Sequence, residues 1–312
     1  MSRILKMVVA MALLTSCTER DKHGKVLDTP SSGTITVTVD ESLKPLIDPE
    51  IVAFEGNYRN AHINVIYTSE SEAIDALLID SARLSIVTRR LAATEEKSLT
   101  DQQIKCRQLT VATSGIALIV NRQNQDTLIQ LQDLKKILSG EIKTWKMINK
   151  SSPPLGMEVV FDHPNSSMIR FLKDSLMAFD TLPKNCFAVE SNTAVVEYVS
   201  QKPQALGLID VSWISDSDDS TANSFLGSVR VLGISIAQDS SYYKPYQAYI
   251  AQRHYPLRRE VVMISREART GLASGFIAFV ASEKGQRVVL KAGLVPATMP
   301  LRFVEVNHKP LN

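Results

Sequence analysis

The stretch Phe161–Leu172, FDHPNSSMIRFL, holds an acid, an imidazole and two hydroxyls inside one turn. Asp162, His163 and Ser166 are the residue types of a hydrolytic triad. A triad, however, needs side chains that converge from separate elements, and these share a single turn. A second reading fits their position better. Asn165, Ser166 and Ser167 stand where the polar turn gives way to an apolar-periodic run. Small hydrogen-bonding groups at that point either cap a helix or hold an anion against its unpaired N–H groups and positive dipole end.

The same choice recurs along the chain. Asp40-Glu41-Ser42-Leu43 follows the alternating run TITVTVD, and Tyr67-Thr68-Ser69 follows HINVIY. Thr88-Arg89 closes LSIVT, and Arg89 offers a planar, bidentate clamp for an oxyanion. Each junction alone reads as a plain cap; together they read as parts of an anion site. Other chemistries lack their signatures. No GxSxG, HExxH or GxxxxGK[ST] is present, and the five histidines are scattered without ligand spacing. Asp216–Ser220, DSDDS, lacks the glycine and closing glutamate of a calcium loop. The expectation is therefore binding without catalytic residues, cofactor or metal. Tyr242, Tyr243, Tyr246 and Tyr249 could stack on a ligand or pack between lobes.

The elements that must position these groups alternate. TITVTVD, HINVIY and LSIVT read as strands, and Pro49 is placed to open a helix between the first two. Ser69 and Glu72 have capping-box spacing ahead of another helix. Strands this far apart cannot be hairpins, so a parallel sheet flanked by helices is expected. LTVATSGIALIVNR is a long strand, followed by the helix LQDLKKILSGEI with Gly140 at its end. GMEVVFD and ALGLIDV read as strands around the helices SSMIRFLKDSLMAF and NTAVVEYVS. Ile169, Leu172, Leu176 and Phe179 fall near one helical face of the first. SDSDDSTANS reads as a polar loop, YPLRREVVMIS as a returning strand, and the chain closes on helices before Gly293 and Pro296. A middle βα unit between two strand-rich ends suggests two lobes with a cleft between them.

MSRILKMVVAMALLTSC has the basic start, short apolar run and small residues of a secretory signal, and LLTSC resembles a bacterial lipobox with Cys17 as the lipidated residue. Residues 18–33 read as a polar tether. Removing residues 1–16 takes away two of the 35 basic side chains, leaving 33 against 33 acidic ones. That balance argues against a nucleic-acid partner. Cys106 and Cys186 have no zinc spacing; export permits a disulfide between them, and free buried thiols are the alternative.

The chain resembles the phosphate-type substrate-binding proteins of bacterial ABC importers over residues 33–300. The resemblance is carried by GIALIVNRQN with LQDLKKILSGEIKTW, by VVEYVSQKPQALGLIDVSW, by YPLRREVVMI and by FIAFVASEKGQRVVLKAGLVP, in that order. It implies an α/β, two-lobed periplasmic-binding-protein fold of type II with an interlobe cleft. It places lobe 1 at 34–112 and 256–306 and lobe 2 at 113–255. It implies inorganic phosphate or a related oxyanion as ligand, ABC permease subunits as partners, a monomer, and an extracytoplasmic location on a lipid anchor. Carried over residue by residue, its ligand positions fall on Ser42, Leu43, Ser69, Asn165, Ser166 and Ser167. Two positions depart: the family's second-lobe arginine corresponds to Phe161, and its first-lobe aspartate falls near Arg89. Arg89, beside Thr88, is expected to supply the missing charge, and Asp40 or Glu41 could restore proton sensing. The alternatives are another anionic solute, or an envelope lipoprotein that senses or assembles without transport.

Overall fold

A computed structural model describes residues 27–176, 181–236 and 241–300. The signal-like segment with Cys17, most of the tether, Phe179 and residues 301–306 lie outside the described residues.

The first third runs β1 (Ser32–Asp40), α1 (Lys44–Asn57), β2 (Asn60–Thr68), α2 (Glu70–Leu78), β3 (Leu84–Val87) and α3 (Ala93–Asp101). The middle runs β4 (Arg107–Asn121), β5 (Leu128–Gln130), α4 (Leu131–Leu138), β6 (Glu158–Phe161), α5 (Ser167–Leu176), β7 (Cys186–Ala188), α6 (Asn192–Gln201) and β8 (Ala205–Asp210). Then come α7 (Ser220–Ser228), β9 (Val229–Val231), β10 (Gly233–Ser235), α8 (Gln247–Ala251), β11 (Arg258–Ser265), α9 (Leu272–Val280), α10 (Glu283–Lys291) and β12 (Val295–Pro296).

The main sheet has the order β2-β1-β3-β11-β4-β8-β6-β7. β1 is parallel to β2 and β3, as the strand spacing requires, and β6 is parallel to β7 and β8. The long strand β4 joins these two parallel groups. Its residues 107–115 pair with β11, and residues 116–120 pair with β8. One continuous strand thus runs from one half of the molecule to the other, and the C-terminal ends of two parallel groups face a common region.

The core follows the alternation read from the sequence. Val37 and Val39 are fully buried, and each such side chain contributes roughly 1.5–3 kcal/mol on burial. Phe54 of α1 packs against Phe276 and Phe279 of α9, with ring centroids 5.2 and 5.5 Å apart. α1 begins earlier than Pro49 predicts. Pro45 occupies its first turn, where no N–H is needed, and Pro49 lies inside the helix. The polar loop is also shorter than predicted: residues 220–228 form α7, whose Asp219 carboxylate accepts from the Thr221 N–H at 2.8 Å. Ala222 and Phe225, one turn apart, give that helix a buried side, and Phe225 stacks on Trp213. The end of the tether is likewise fixed. Asp28 pairs with Arg269 at 2.6 Å and accepts from the Leu272 N–H at 2.6 Å, at the start of α9. Cys106 and Cys186 are free thiols; burial pushes the Cys186 thiol up to about 12.

Candidate functional site

A cavity of about 220 Å³ opens where β1, β2 and β6 end. It is smaller than the roughly 300–1,000 Å³ of a drug-sized site, so it suits a small ion. Ser69 enters it as the N-cap of α2. Its hydroxyl donates to Glu72 at 2.9 Å, and the capping box read from the sequence is complete. Ser166 and Ser167 enter it at the start of α5. Ser166 donates directly to Asp162, and its oxygen accepts from the Met168 N–H at 3.2 Å. His163 Nδ1 instead accepts from the Asn165 N–H at 3.1 Å. The imidazole therefore does not stand between acid and hydroxyl, and the turn is not wired as a proton relay.

The charge behind these hydroxyls comes from Arg259 on β11. It is the one buried Lys or Arg among the described residues. Its Nη1 donates to Ser167 Oγ at 2.7 Å, and its Nη2 donates to Ser42 Oγ at 2.8 Å and Asp210 Oδ2 at 2.8 Å. One guanidinium thus ties together the end of β1, the start of α5 and the end of β8. Burial alone would lower its pKa, but Asp210 and Asp40 outweigh that and hold it charged. The indole N–H of Trp213 donates to the Ser42 carbonyl at 2.9 Å, a second link across the same region.

Carboxylates dominate the cavity wall: Asp40, Glu41 and Asp162 inside, Glu72 and Glu190 at the exposed edge. Asp40 Oδ1 accepts from the Ser42 N–H at 3.0 Å, while Oδ2 is buried with no hydrogen-bond partner among the described residues. Burial pushes Asp40 up to about 7, against the pull of Arg259 and with the help of Glu70 and Asp162. Burial also raises Glu41 and Asp162 above the ordinary carboxylate range. These two share an amide: Asn192 Nδ2 donates to Glu41 at 2.5 Å and to Asp162 at 3.1 Å. At the edge the sign reverses, because hydrogen bonds from Thr68 and Ser69 lower Glu72.

Of the residues predicted for the site, Ser69, Ser166 and Ser167 line the cavity together, and Ser42 stands one hydrogen bond behind it on Arg259. Leu43 is fully buried in the core, and Asn165 is exposed beside His163. Thr88 donates from its N–H and hydroxyl to Glu70 at 2.9 and 2.7 Å. Arg89 is held bidentately by Glu95, 2.7 Å on both arms, away from the cavity wall. The physical reason is proximity: Glu95 lies in the first turn of α3, directly after the Arg89 strand end, and captures the guanidinium locally. Phe161 is buried in the core. The residue that sequence reading passed over, Arg259, had a signal. Tyr255, Leu257, Arg259 and Val261 alternate on the buried side of the returning strand, so a charge stands in an apolar register.

The strand order, the spanning β4 and a polar cavity at converging strand ends define a two-lobed binding-protein fold. Residues 26–284 match the family model of the PBP superfamily domain, and the chain belongs to that superfamily. The phosphate-binding protein PstS of Bacillus subtilis is 24% identical over 274 residues, 86% of this chain and 82% of the relative. The phosphate-binding protein PstS of Borreliella burgdorferi is 22% identical over 302 residues, 94% of this chain and 97% of the relative. A putative phosphate ABC transporter substrate-binding protein from Clostridium perfringens, solved with bound phosphate, superposes with a TM-score of 0.72 at 20% identity, covering 85% of this chain and 100% of that one. An ABC-type phosphate transport receptor from Vibrio cholerae gives 0.64 at 20% identity over 85% and 100%. The resemblance read from the sequence stands. Among the described residues no helix is long and apolar enough to cross a membrane.

Proposed function

We propose that this protein is an extracytoplasmic solute-binding lipoprotein, anchored through Cys17, that takes phosphate or a related oxyanion between two lobes and delivers it to an ABC permease. The lobes comprise residues 34–112 with 256–306, and residues 113–255. Binding and hinge closure are its work, without bond-making. The observation that carries this reading is Arg259, whose buried guanidinium donates to Ser167 in the wall of the ion-sized cavity and to Ser42 behind it. The names of the relatives support the choice of ligand.

The acidic wall constrains the form of that ligand. A fully ionised dianion would meet Asp40, Glu41 and Asp162 with Arg259, the one buried cation among the described residues, to offset them. A protonated oxyanion can donate a hydrogen bond to the free oxygen of Asp40, whereas sulfate at neutral pH has no proton to give and would leave charges unpaired. Calorimetric and thermal-shift titrations with phosphate, sulfate and molybdate test this. Phosphate at about 100 times its Kd should add roughly 2.7 kcal/mol of stability, and sulfate should add little. Silence with all three anions overturns the reading and favours sensing or assembly.

A further inference from the structure

A second cavity, of about 760 Å³, shares no lining residue with the first and falls within the size range of sites for small organic molecules. Its wall combines elements distant in sequence: the turn after β8, α7, β9, the start of α8 and the end of α10. Gly293 makes that junction possible. It adopts φ +78°, and a Cβ there would come within 2.2 Å of Ser215 Cβ, so only glycine lets the end of α10 approach so closely.

Two properties of the wall point to the same ligand chemistry. Leu226 and Tyr246 leave 43% and 59% of their surface open beside the apolar Ile214 and Val231. Around them stand Arg122, Arg230 and Lys244, none of which has a carboxylate partner among the described residues. Arg122 Nη1 donates to the Gly227 carbonyl at 2.5 Å and Arg230 Nη1 to the Asn124 carbonyl at 3.3 Å. Each of these bonds uses one of the five N–H groups of its guanidinium. The contrast is Lys291 on the same wall, which is occupied by Asp216 and Asp218. Apolar surface left in water beside uncompensated positive charge matches a molecule with a hydrocarbon body and an anionic head. The head would meet the guanidiniums, and the body would cover Leu226 and stack on Tyr246.

We propose that this cavity is a second ligand site, separate from the oxyanion cleft, for a small aromatic or aliphatic carboxylate or sulfonate. Calorimetric titration of the full chain with naphthalene-2-sulfonate tests it, with the uncharged naphthalene-2-methanol as control. The expected result is one saturable site that binds the sulfonate at least tenfold tighter than the alcohol and is unmoved by saturating phosphate. Arg230→Glu with Lys244→Glu should weaken it at least tenfold, and Leu226→Gln should weaken both compounds. These side chains are exposed or half-exposed, so the variants should melt like the parent. Absence of saturable binding, equal affinity for the alcohol, displacement by phosphate, or indifference to both variants overturns the proposal. None of those outcomes alters the oxyanion reading, which is tested at a different set of residues.

Discussion

Arg259 Nη2 donates to Asp210 Oδ2 at 2.8 Å, and neither side chain exposes any surface. A buried pair of this kind is held by mutual need: removing one partner leaves the other charged in a poor solvent, at a cost of about 3–5 kcal/mol. Arg259→Met should therefore destabilise the protein by that order in denaturant titration. Arg259→Met with Asp210→Asn should recover part of the stability, because the orphaned charge is gone while the amide oxygen can still accept from Ser212. It should not recover oxyanion affinity, because Ser42 and Ser167 have lost their shared donor. A double variant that is stable and still binds phosphate normally would remove Arg259 from the site.

Arg89 and Arg259 make a direct comparison. Arg89 spends both arms on Glu95, whereas Arg259 reaches the hydroxyl that lines the cavity. Arg89→Ala should leave oxyanion affinity within about threefold, since no charge-assisted bond worth roughly 1.5–3 kcal/mol is withdrawn from the cavity. Arg259→Lys keeps the charge but not the fork, and should weaken binding roughly 10- to 100-fold. Titration calorimetry of the two variants side by side decides which arginine serves the ligand.

The site was partly legible because N-caps are local. Ser69 with Glu72, and Ser166 with Ser167, announce helix starts within four residues of themselves, and a strand before each fixes which end of the sheet they occupy. Arg259 is a different kind of information. It meets Ser42 across 217 positions, and only the insertion of β11 between β3 and β4 brings it there. Alternation carries a signal of its burial that the sequence reading passed over; nothing in the chain shows beside what it is buried. Asp162 was visible as a residue type, but its work with Asn192 depends on β6 and α6 meeting. The first half of α7 falls in the stretch that reads as a loop, because Ser220-Thr221-Ala222-Asn223-Ser224 has weak helix propensity, and packing of Phe225 on Trp213 overrides it.

Asp40 predicts how the protein responds to pH. Its folded value is raised from 3.8 to about 7 by burial. For a group raised on folding, the folded state holds a proton that the unfolded state releases. The stabilising contribution is thus complete below pH 3.8 and is lost as pH rises through about 7. Glu41 and Asp162 are raised in the same direction. Stability without ligand should fall as pH rises from 3.8 to about 7, and Asp40→Asn should flatten part of that slope. Molybdate affinity should rise as pH falls over the same interval, because each proton on the wall removes a charge that repels the anion. Equal slopes for parent and Asp40→Asn would place the titration elsewhere.

Glu50 offers a test away from the site. It lies in α1, fully buried, and neither carboxylate oxygen has a hydrogen-bond partner among the described residues. Burial raises it from 4.5 to about 9, so it folds as the neutral acid. The sign is that of Asp40: the unfolded chain ionises above pH 4.5, and the stability tied to the bound proton is lost as pH rises towards 9. An unpaired buried polar group costs roughly 1–3 kcal/mol even when uncharged. Glu50→Leu removes both penalties with a side chain suited to the neighbouring apolar core. It should raise the melting temperature at pH 8 more than at pH 5, with oxyanion affinity unchanged, as followed by calorimetry at the two pH values. A loss of stability at pH 8 would show that the carboxyl is satisfied in solution and that its burial serves another purpose.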